Sequence, residues 1–354
     1  MPAPERGAAP TPRVAGLHWV GVVVIGRNEK EHLPSCLGSV PAAVRRVVYV
    51  DSGSTDGSVE LARLLGAEVA PLDDAVPFTA ARARNAGIAV LEMEGGIEFI
   101  LVVDGDCELA PGFVEAALDV MAENPRAAVV CGRRRERRRD ASIYHVLCDM
   151  EWNTPVGEVE ACGGDALLRV AAVNEVGGYN GSIIAGEEPE LCLRLRRRGW
   201  SVLRIDHEMT KHDARLASFR AWWRRAVRAG HAYAELFAMH GYWRREVASV
   251  VVYTVLLPAF ALGLGAVTWG AGLGLLSLAY ASLCLRVRAH RQRTGDPPRD
   301  ASLYAMFCVI SKFAQLVGMA RYLLNRALGR RPAIIEYKGP RKSLGRPEAK
   351  PVTT

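Results

Sequence analysis

Two acidic residues around a glycine, Asp104-Gly105-Asp106, are the sharpest chemical feature of this sequence. Carboxylates so spaced at a strand end can hold a hard divalent cation such as Mn²⁺ or Mg²⁺. Such ions prefer oxygen ligands and leave coordination positions open for phosphate. A second polar segment, Asp51-Ser52-Gly53-Ser54-Thr55-Asp56-Gly57, offers Asp51 and a helix cap through Asp56 or Ser58. A third feature is the pair Glu187-Glu188, ahead of Leu191-Cys192-Leu193-Arg194-Leu195-Arg196, whose pattern predicts a helix. The pair then stands at a helix N-terminus, where the dipole favours the charged carboxylate.

Short apolar runs must position these residues. Val22-Val23-Val24-Ile25 ends at Gly26, Val47-Val48-Tyr49-Val50 at Asp51, and Phe99-Ile100-Leu101-Val102-Val103 at Asp104. Continuous runs of this kind suit strands buried on both faces of a parallel sheet. Helical stretches over 31–39 and 58–65 lie between them. The pattern predicts an α/β domain over the first ~215 residues. Ligands of such sheets bind beyond the carboxyl ends of the strands, here where Asn28, Asp51 and Asp104 converge.

Four segments taken together carry a resemblance: Val24-Ile25-Gly26-Arg27-Asn28-Glu29, Val50 to Asp56, Ala83-Arg84-Asn85-Ala86-Gly87 and Val103-Asp104-Gly105-Asp106. In order and spacing they resemble family 2 glycosyltransferases, and the resemblance continues through Gly177-Gly178-Tyr179 and Gly186 to Leu191. Cys162-Gly163-Gly164-Asp165 and the stretch from Phe219 to Gly230, with Trp222-Trp223, resemble a bacterial, membrane-attached branch linked to surface-polysaccharide or glycolipid assembly.

The resemblance implies a GT-A-like, Rossmann-type nucleotide-diphospho-sugar transferase fold. It also implies an inverting, metal-dependent, hexosyltransferase-like reaction with a nucleotide sugar, by family habit UDP-linked. By position it assigns Asn28, Glu29, Asp51, Arg84 and Asp104 to the nucleotide sugar, with Asp51 on the nucleoside and Arg84 facing the leaving diphosphate. Asp106, Asp104 and His212 are assigned to Mn²⁺ or Mg²⁺. The general base falls on the pair Glu187-Glu188, on Glu188 in preference to Glu187. Relatives carry Glu-Asp there, so Glu188 stands in for an aspartate. Gly163, Gly164, Asp165, Trp222 and Trp223 mark a possible acceptor region. Processive synthases carry Gln-x-x-Arg-Trp near Trp222, but Arg220 replaces the Gln and the Arg-Trp order is lost. Transfer of one sugar is therefore expected. Two other readings of the same residues are a nucleotidyltransferase of related fold and a catalytically silent membrane scaffold.

The 354 residues are 50% hydrophobic and 23% charged, which excludes a disordered chain. No pair of the eight cysteines is spaced C-x-x-C, so reduced thiols are expected. From Val247 to Leu285, 39 consecutive residues carry no charge. As one helix these would span about 58 Å, and a bilayer crossing takes about 20 residues. Two crossings therefore fit, with a break at Trp269 to Gly274. Arg244 and Arg245 precede the run, and Arg286, Arg288, Arg291 and Arg293 follow it. Basic flanks at both ends predict a hairpin in the cytoplasmic membrane, spanning or re-entrant, with the catalytic domain on the cytoplasmic side.

Residues from Asp300 to Ala327 are expected as an interfacial amphipathic helix. The run Arg133-Arg134-Arg135-Glu136-Arg137-Arg138-Arg139 lacks interleaved aromatics, and no nucleic-acid partner is expected. Lipid headgroups, an acceptor phosphate and plain solvation remain open for it. The expected divisions are a disordered tail at 1–17 and the transferase domain at 18–215. A juxtamembrane helical segment follows at 216–246, then the transmembrane hairpin at 247–286. The amphipathic helix and a basic tail occupy 287–354. The expected partners are a nucleotide-sugar donor, a lipid-linked or membrane-confined acceptor and the membrane.

Overall fold

The computed structural model describes residues 16–93, 95–267 and 271–330. The expected tail at 1–17 and the basic tail lie almost wholly outside these residues, as do Trp269 and Gly270 of the expected hairpin break.

The described residues form one mixed sheet of nine strands: β1 (Val20–Gly26), β2 (Arg46–Asp51), β3 (Glu68–Pro71), β4 (Phe99–Asp104), β5 (Cys107–Leu109), β6 (Ala127–Glu136), β7 (Gly157–Glu158), β8 (Ala166–Arg169) and β9 (Ser201–His212). The order is β3-β2-β1-β4-β8-β6-β9-β5, with β7 paired to β9. The three apolar runs of the sequence are β2, β1 and β4, adjacent and parallel. Their register sets Gly26 opposite Asp51 and Ile25 opposite Asp104. The strands thus end level, and their polar residues share one edge of the sheet.

Helices α1 (Leu33–Gly38), α2 (Ser58–Leu64), α3 (Ala80–Glu92), α4 (Phe113–Glu123), α5 (Ile143–Glu151), α6 (Val170–Glu175) and α7 (Glu187–Arg197) accompany the sheet. Val22, Val23, Val24, Leu101, Leu167, Leu168 and Val202 are fully buried in its core. Helix α3 lies close on β1, because a Cβ at Gly87 would strike the Val23 side chain.

A helical unit follows the sheet: α8 (Phe219–His240), α9 (Arg244–Val251), α10 (Leu257–Val267), α11 (Ala271–Arg293) and α12 (Pro298–Ala327). A π-helical turn, Val252–Leu256, joins α9 to α10. Among the described residues, three stretches are long and apolar enough to cross a membrane: Arg244–Ala266, Ala271–Arg293 and Pro298–Ala327. The first two make the hairpin. Gly272 and Gly274, expected in its turn, are instead helical in α11, where a Cβ at Gly272 would strike the Ala261 carbonyl oxygen.

The third stretch, α12, was expected in the interface. By length and mean hydropathy it stands beside the other two, and it packs along α8. Gly230 of α8 and Gly318 of α12 let the two backbones meet, since a Cβ on either would overlap the facing carbonyl oxygen of Gln315 or Val227. Asp300 lies in the first turn of α12 and pairs with Arg139.

The arginine run is neither a loop nor a free charge cluster. It is the end of β6 and the turn after it, and every arginine in it has a carboxylate partner. Arg133 pairs with Asp149, Arg134 with Asp165, Arg135 with Glu208, Arg137 with Glu108, Arg138 with Asp213, and Arg139 with Asp149 and Asp300.

Candidate active site

A cavity of about 1300 Å³ opens at the carboxyl edge of β1 and β4. Asn28, Glu29, Arg84, Asp104, Asp106, Glu187 and Glu188 line one part of it, and residues of α8 and α12 line the rest. Asn28 adopts the left-handed conformation, φ 57°. Its Oδ1 accepts from Thr55 N at 2.8 Å, and its N–H donates to Ser54 Oγ at 2.8 Å, so it ties down the Ser52–Asp56 loop.

Asp51 was expected to touch the nucleoside. It is instead buried under that loop and does not line the cavity. Its Oδ2 accepts from Gly53 N at 3.0 Å and Ser54 N at 2.9 Å, which leaves Ser52, Thr55 and Asp56 on the cavity wall.

Arg84 of α3 is the hub of the site and is 2% exposed. Its Nη2 lies 3.0 Å from Asp104 Oδ1, and its Nη1 lies 3.0 Å from both Glu187 Oε1 and Glu188 Oε1. Nη2 also donates to Gly164 O at 3.2 Å. Burial works against this guanidinium, but Glu188, Asp104 and Glu187 outweigh it and hold it charged. Arg84 lines the cavity and fixes three carboxylates at one point. The neighbouring Asn85 clamps the Gly177-Gly178-Tyr179 turn, donating to Tyr179 O at 2.7 Å and accepting from Tyr179 N at 2.9 Å.

Glu187 and Glu188 open α7, as the sequence predicts. The dipole does not decide the state of Glu188. Burial and the adjacent Glu187 push its carboxyl up to about 7 against the pull of Arg84. For Asp104 the balance is opposite. Burial disfavours its charge, but Arg84 and Arg134 hold it below the usual carboxylate range.

The Gly163–Asp165 segment, expected near an acceptor, is structural at Asp165. That residue is fully buried; it accepts from Asp104 N at 3.0 Å and Thr210 Oγ1 at 2.7 Å, and pairs with Arg134 at 2.6 Å. A Cβ at Gly164 would lie 2.8 Å from Asp104 Oδ2. Trp222 lines the cavity and packs edge-on against Phe307 of α12, whereas Trp223 packs behind it.

Asp106 and His212 face each other, with His212 Nε2 3.3 Å from Asp106 Oδ1. His212 ends β9, opposite Cys107 in β5, so strand pairing brings the two distant residues together. The set fits a divalent cation. It joins the Asp106 carboxylate and the His212 imidazole with the Cys107 thiol, all nearly fully buried, whereas Asp104 groups with Cys107 and Asp165. The His212 Nδ1 is left without a hydrogen-bond partner among the described residues.

Arg215, which the sequence reading passed over, sits on this set. Its Nη2 lies 2.8 Å from Asp106 Oδ2 and 2.9 Å from Glu29 Oε1. A polar network fixes the backbone around it. Glu136 accepts from Ala214 N at 2.9 Å, Asp213 from Arg215 N at 3.0 Å, and His145 Nε2 from Leu216 N at 3.1 Å. Arg134 was also missed as a site residue, because it stood inside a run that read as surface charge.

Residues 21–164 match the family model Glycosyl transferase family 2. The matched segment is that of a family 2 glycosyltransferase, and the fold is GT-A. The chain is 26% identical over 206 residues to the succinoglycan biosynthesis protein ExoA of Rhizobium meliloti, covering 52% of this chain and 60% of that protein. It is 28% identical over 236 residues to the N-acetylglucosaminyl-diphospho-decaprenol L-rhamnosyltransferase of Mycobacterium tuberculosis, covering 54% and 76%. Among solved structures, the mannosyltransferase PcManGT of Pyrobaculum calidifontis, in complex with GDP-Man and Mn²⁺, superposes with a TM-score of 0.58. That match covers 87% of each chain at 17% identity, a likeness of fold.

Proposed function

We propose that this glycosyltransferase moves one sugar, with inversion, from a nucleotide-diphosphate sugar to a membrane-confined or lipid-linked acceptor in surface polysaccharide or glycolipid assembly. The observation that carries the reading is the meeting of Arg84 with Asp104, Glu187 and Glu188 at one wall of the cavity. It joins the donor end of the site to the acidic pair.

In this reading the Glu188 carboxylate takes the proton of the acceptor hydroxyl. The hydroxyl oxygen attacks the anomeric carbon from the face opposite the diphosphate. The bond from that carbon to the diphosphate oxygen breaks, and its electron pair leaves on the nucleoside diphosphate. A site near pH 7 asks for a base whose pKa lies close to the working pH, and Glu188 answers that at about 7. Arg84 positions this base and holds Glu187 beside it. Asp106 and His212, with Asp104 adjacent, would hold Mn²⁺ or Mg²⁺, which supplies positive charge toward the leaving diphosphate. UDP is the proposed nucleotide carrier.

The size of the cavity supports two substrates, because a single ligand typically fills ~300–1,000 Å³ and this one offers about 1300 Å³. The half away from Asp104 is lined by Trp222, Tyr233, Phe307 and Lys312 of α8 and α12. An acceptor that arrives along the apolar helices would enter there. We assign the hairpin to the membrane and α12, which lines the cavity beside α8, to its surface, with the sheet on the cytoplasmic side, following the basic flanks.

The test is product analysis over a panel of nucleotide sugars with detergent-purified protein and Mn²⁺. Release of nucleoside diphosphate supports sugar transfer. A parallel reaction with nucleoside triphosphate and sugar 1-phosphate that releases pyrophosphate would mean nucleotidyl transfer, and binding without turnover on any acceptor would mean a silent scaffold.

A further inference from the structure

A second cavity, of about 570 Å³, lies where β6 and β9 meet the end of α11. Its buried cation is Arg204 of β9, which is 5% exposed. The Arg204 guanidinium makes no ion pair or hydrogen bond among the described residues, and its Nε is buried without a partner. An arginine does not shed its charge, and an uncompensated buried charge is strongly disfavoured. The other arginines around it are committed. Arg133 donates to Asp149, Arg135 Nε lies 3.3 Å from Glu208 Oε1, and Arg291 donates to Met150 O at 3.0 Å. Burial lowers the pKa of Arg133 against the pull of Asp149, and Arg135 and Arg204 add repulsion, which marks three guanidinium groups in one small volume. Glu208 and the exposed Asp206 also line the cavity. The group that would complete it is an anion at Arg204.

The position of the cavity selects the source of that anion. His290 and Arg291, at the end of α11, form part of its wall. Leu285, the last residue of the long uncharged run, is 62% exposed on the same helix. Five residues of helix separate Leu285 from His290, about 7.5 Å. Subtracting the ~30 Å hydrocarbon core from a ~40–45 Å bilayer leaves a headgroup layer of about 5–7.5 Å on each side. The cavity therefore opens at headgroup depth.

We propose that this cavity binds the phosphate of an anionic phospholipid beside α11, with Arg204 as the buried cation. The inference rests on the reading of α10 and α11 as membrane-embedded. Lipid held there ties the end of the hairpin to β6, the strand that carries Arg134 to Asp165 and Asp104.

The test uses the full chain, delipidated in detergent and incubated with mixed micelles of phosphatidylglycerol or phosphatidylcholine. Retained phospholipid is counted per protein. The wild type should retain phosphatidylglycerol at least about fivefold over phosphatidylcholine, and Arg204→Gln should lose that preference. Asp206→Asn, an exposed change, should increase retention, and it keeps the test decisive where Arg204→Gln does not fold. Equal retention in wild type and a folded Arg204→Gln, or no gain in Asp206→Asn, overturns the site. Binding of inorganic phosphate with no preference between the two lipids overturns the lipid source. Recovery of the whole chain in the soluble fraction without detergent overturns the membrane reading, and this proposal with it.

Discussion

Arg215 Nη2 lies 2.8 Å from Asp106 Oδ2, so a guanidinium already occupies one oxygen of the carboxylate best placed to bind a divalent cation. Arg215 also holds Glu29 and adopts the left-handed conformation, φ 51°, which a non-glycine residue keeps only where its surroundings enforce it. A cation held there would compete with the guanidinium for the same charge.

Replacing Arg215 should therefore tighten metal binding. A hydrogen bond to a charged group contributes ~1.5–3 kcal/mol, so Arg215→Gln should lower the Mn²⁺ dissociation constant about tenfold or more. Titration calorimetry with Mn²⁺ and no donor reads this directly. Asp106→Ala should abolish the binding, while Asp106→Asn should weaken it.

The acidic pair sets a pH dependence. Glu188 acts when deprotonated, and burial with Glu187 raises its pKa to about 7. Donor turnover should rise with pH and reach half its plateau near pH 7, because protonation below that value removes the base. Loss of a general base costs about 10²–10⁴-fold. Glu188→Gln should fall by that amount and lose the limb near pH 7. Glu187→Gln removes the neighbouring charge that raises Glu188, so the midpoint should move to lower pH with the turnover largely kept. The pH profile of kcat for the three proteins decides between the two glutamates.

Arg84 should matter to stability as much as to turnover. Removing one partner from a buried ion pair costs about 3–5 kcal/mol, because the other charge is left uncompensated. Arg84→Ala strands Asp104, Glu187 and Glu188 together. Its urea midpoint should drop sharply at pH 8 and recover in part at pH 5, where protonation relieves the carboxylates. Arg84→Lys cannot span the same oxygens with a single ammonium and should fall between the two.

The parallel half of the sheet was legible because β1, β2 and β4 are continuous apolar runs that end on polar residues. The same runs made it readable that Asn28 and Asp104 share one cavity. What the sequence hid lies in pairings across long separations. Asp106 meets Arg215 over 109 positions, and Arg134 meets Asp104 over 30. Neither pair leaves a local pattern. The arginine run misled because charge runs usually face water, whereas here Asp149, Asp165 and Asp213 wait under it. At Glu188, burial beside a second carboxylate outweighs the pull of Arg84 and of a backbone hydrogen bond. Gly230 and Gly318, which bring α12 onto α8 and close the cavity, look like any other glycine until the backbones are seen to touch.

The central claim is inverting transfer with Glu188 as base, and donor hydrolysis followed by proton NMR tests it most directly. Water then stands in for the acceptor, and the anomeric proton of the first sugar released is read before mutarotation. The account predicts that this sugar has the anomeric configuration opposite to that of the donor, and that Glu188→Gln releases almost none. Release with the donor's configuration, or undiminished release from Glu188→Gln, would contradict it.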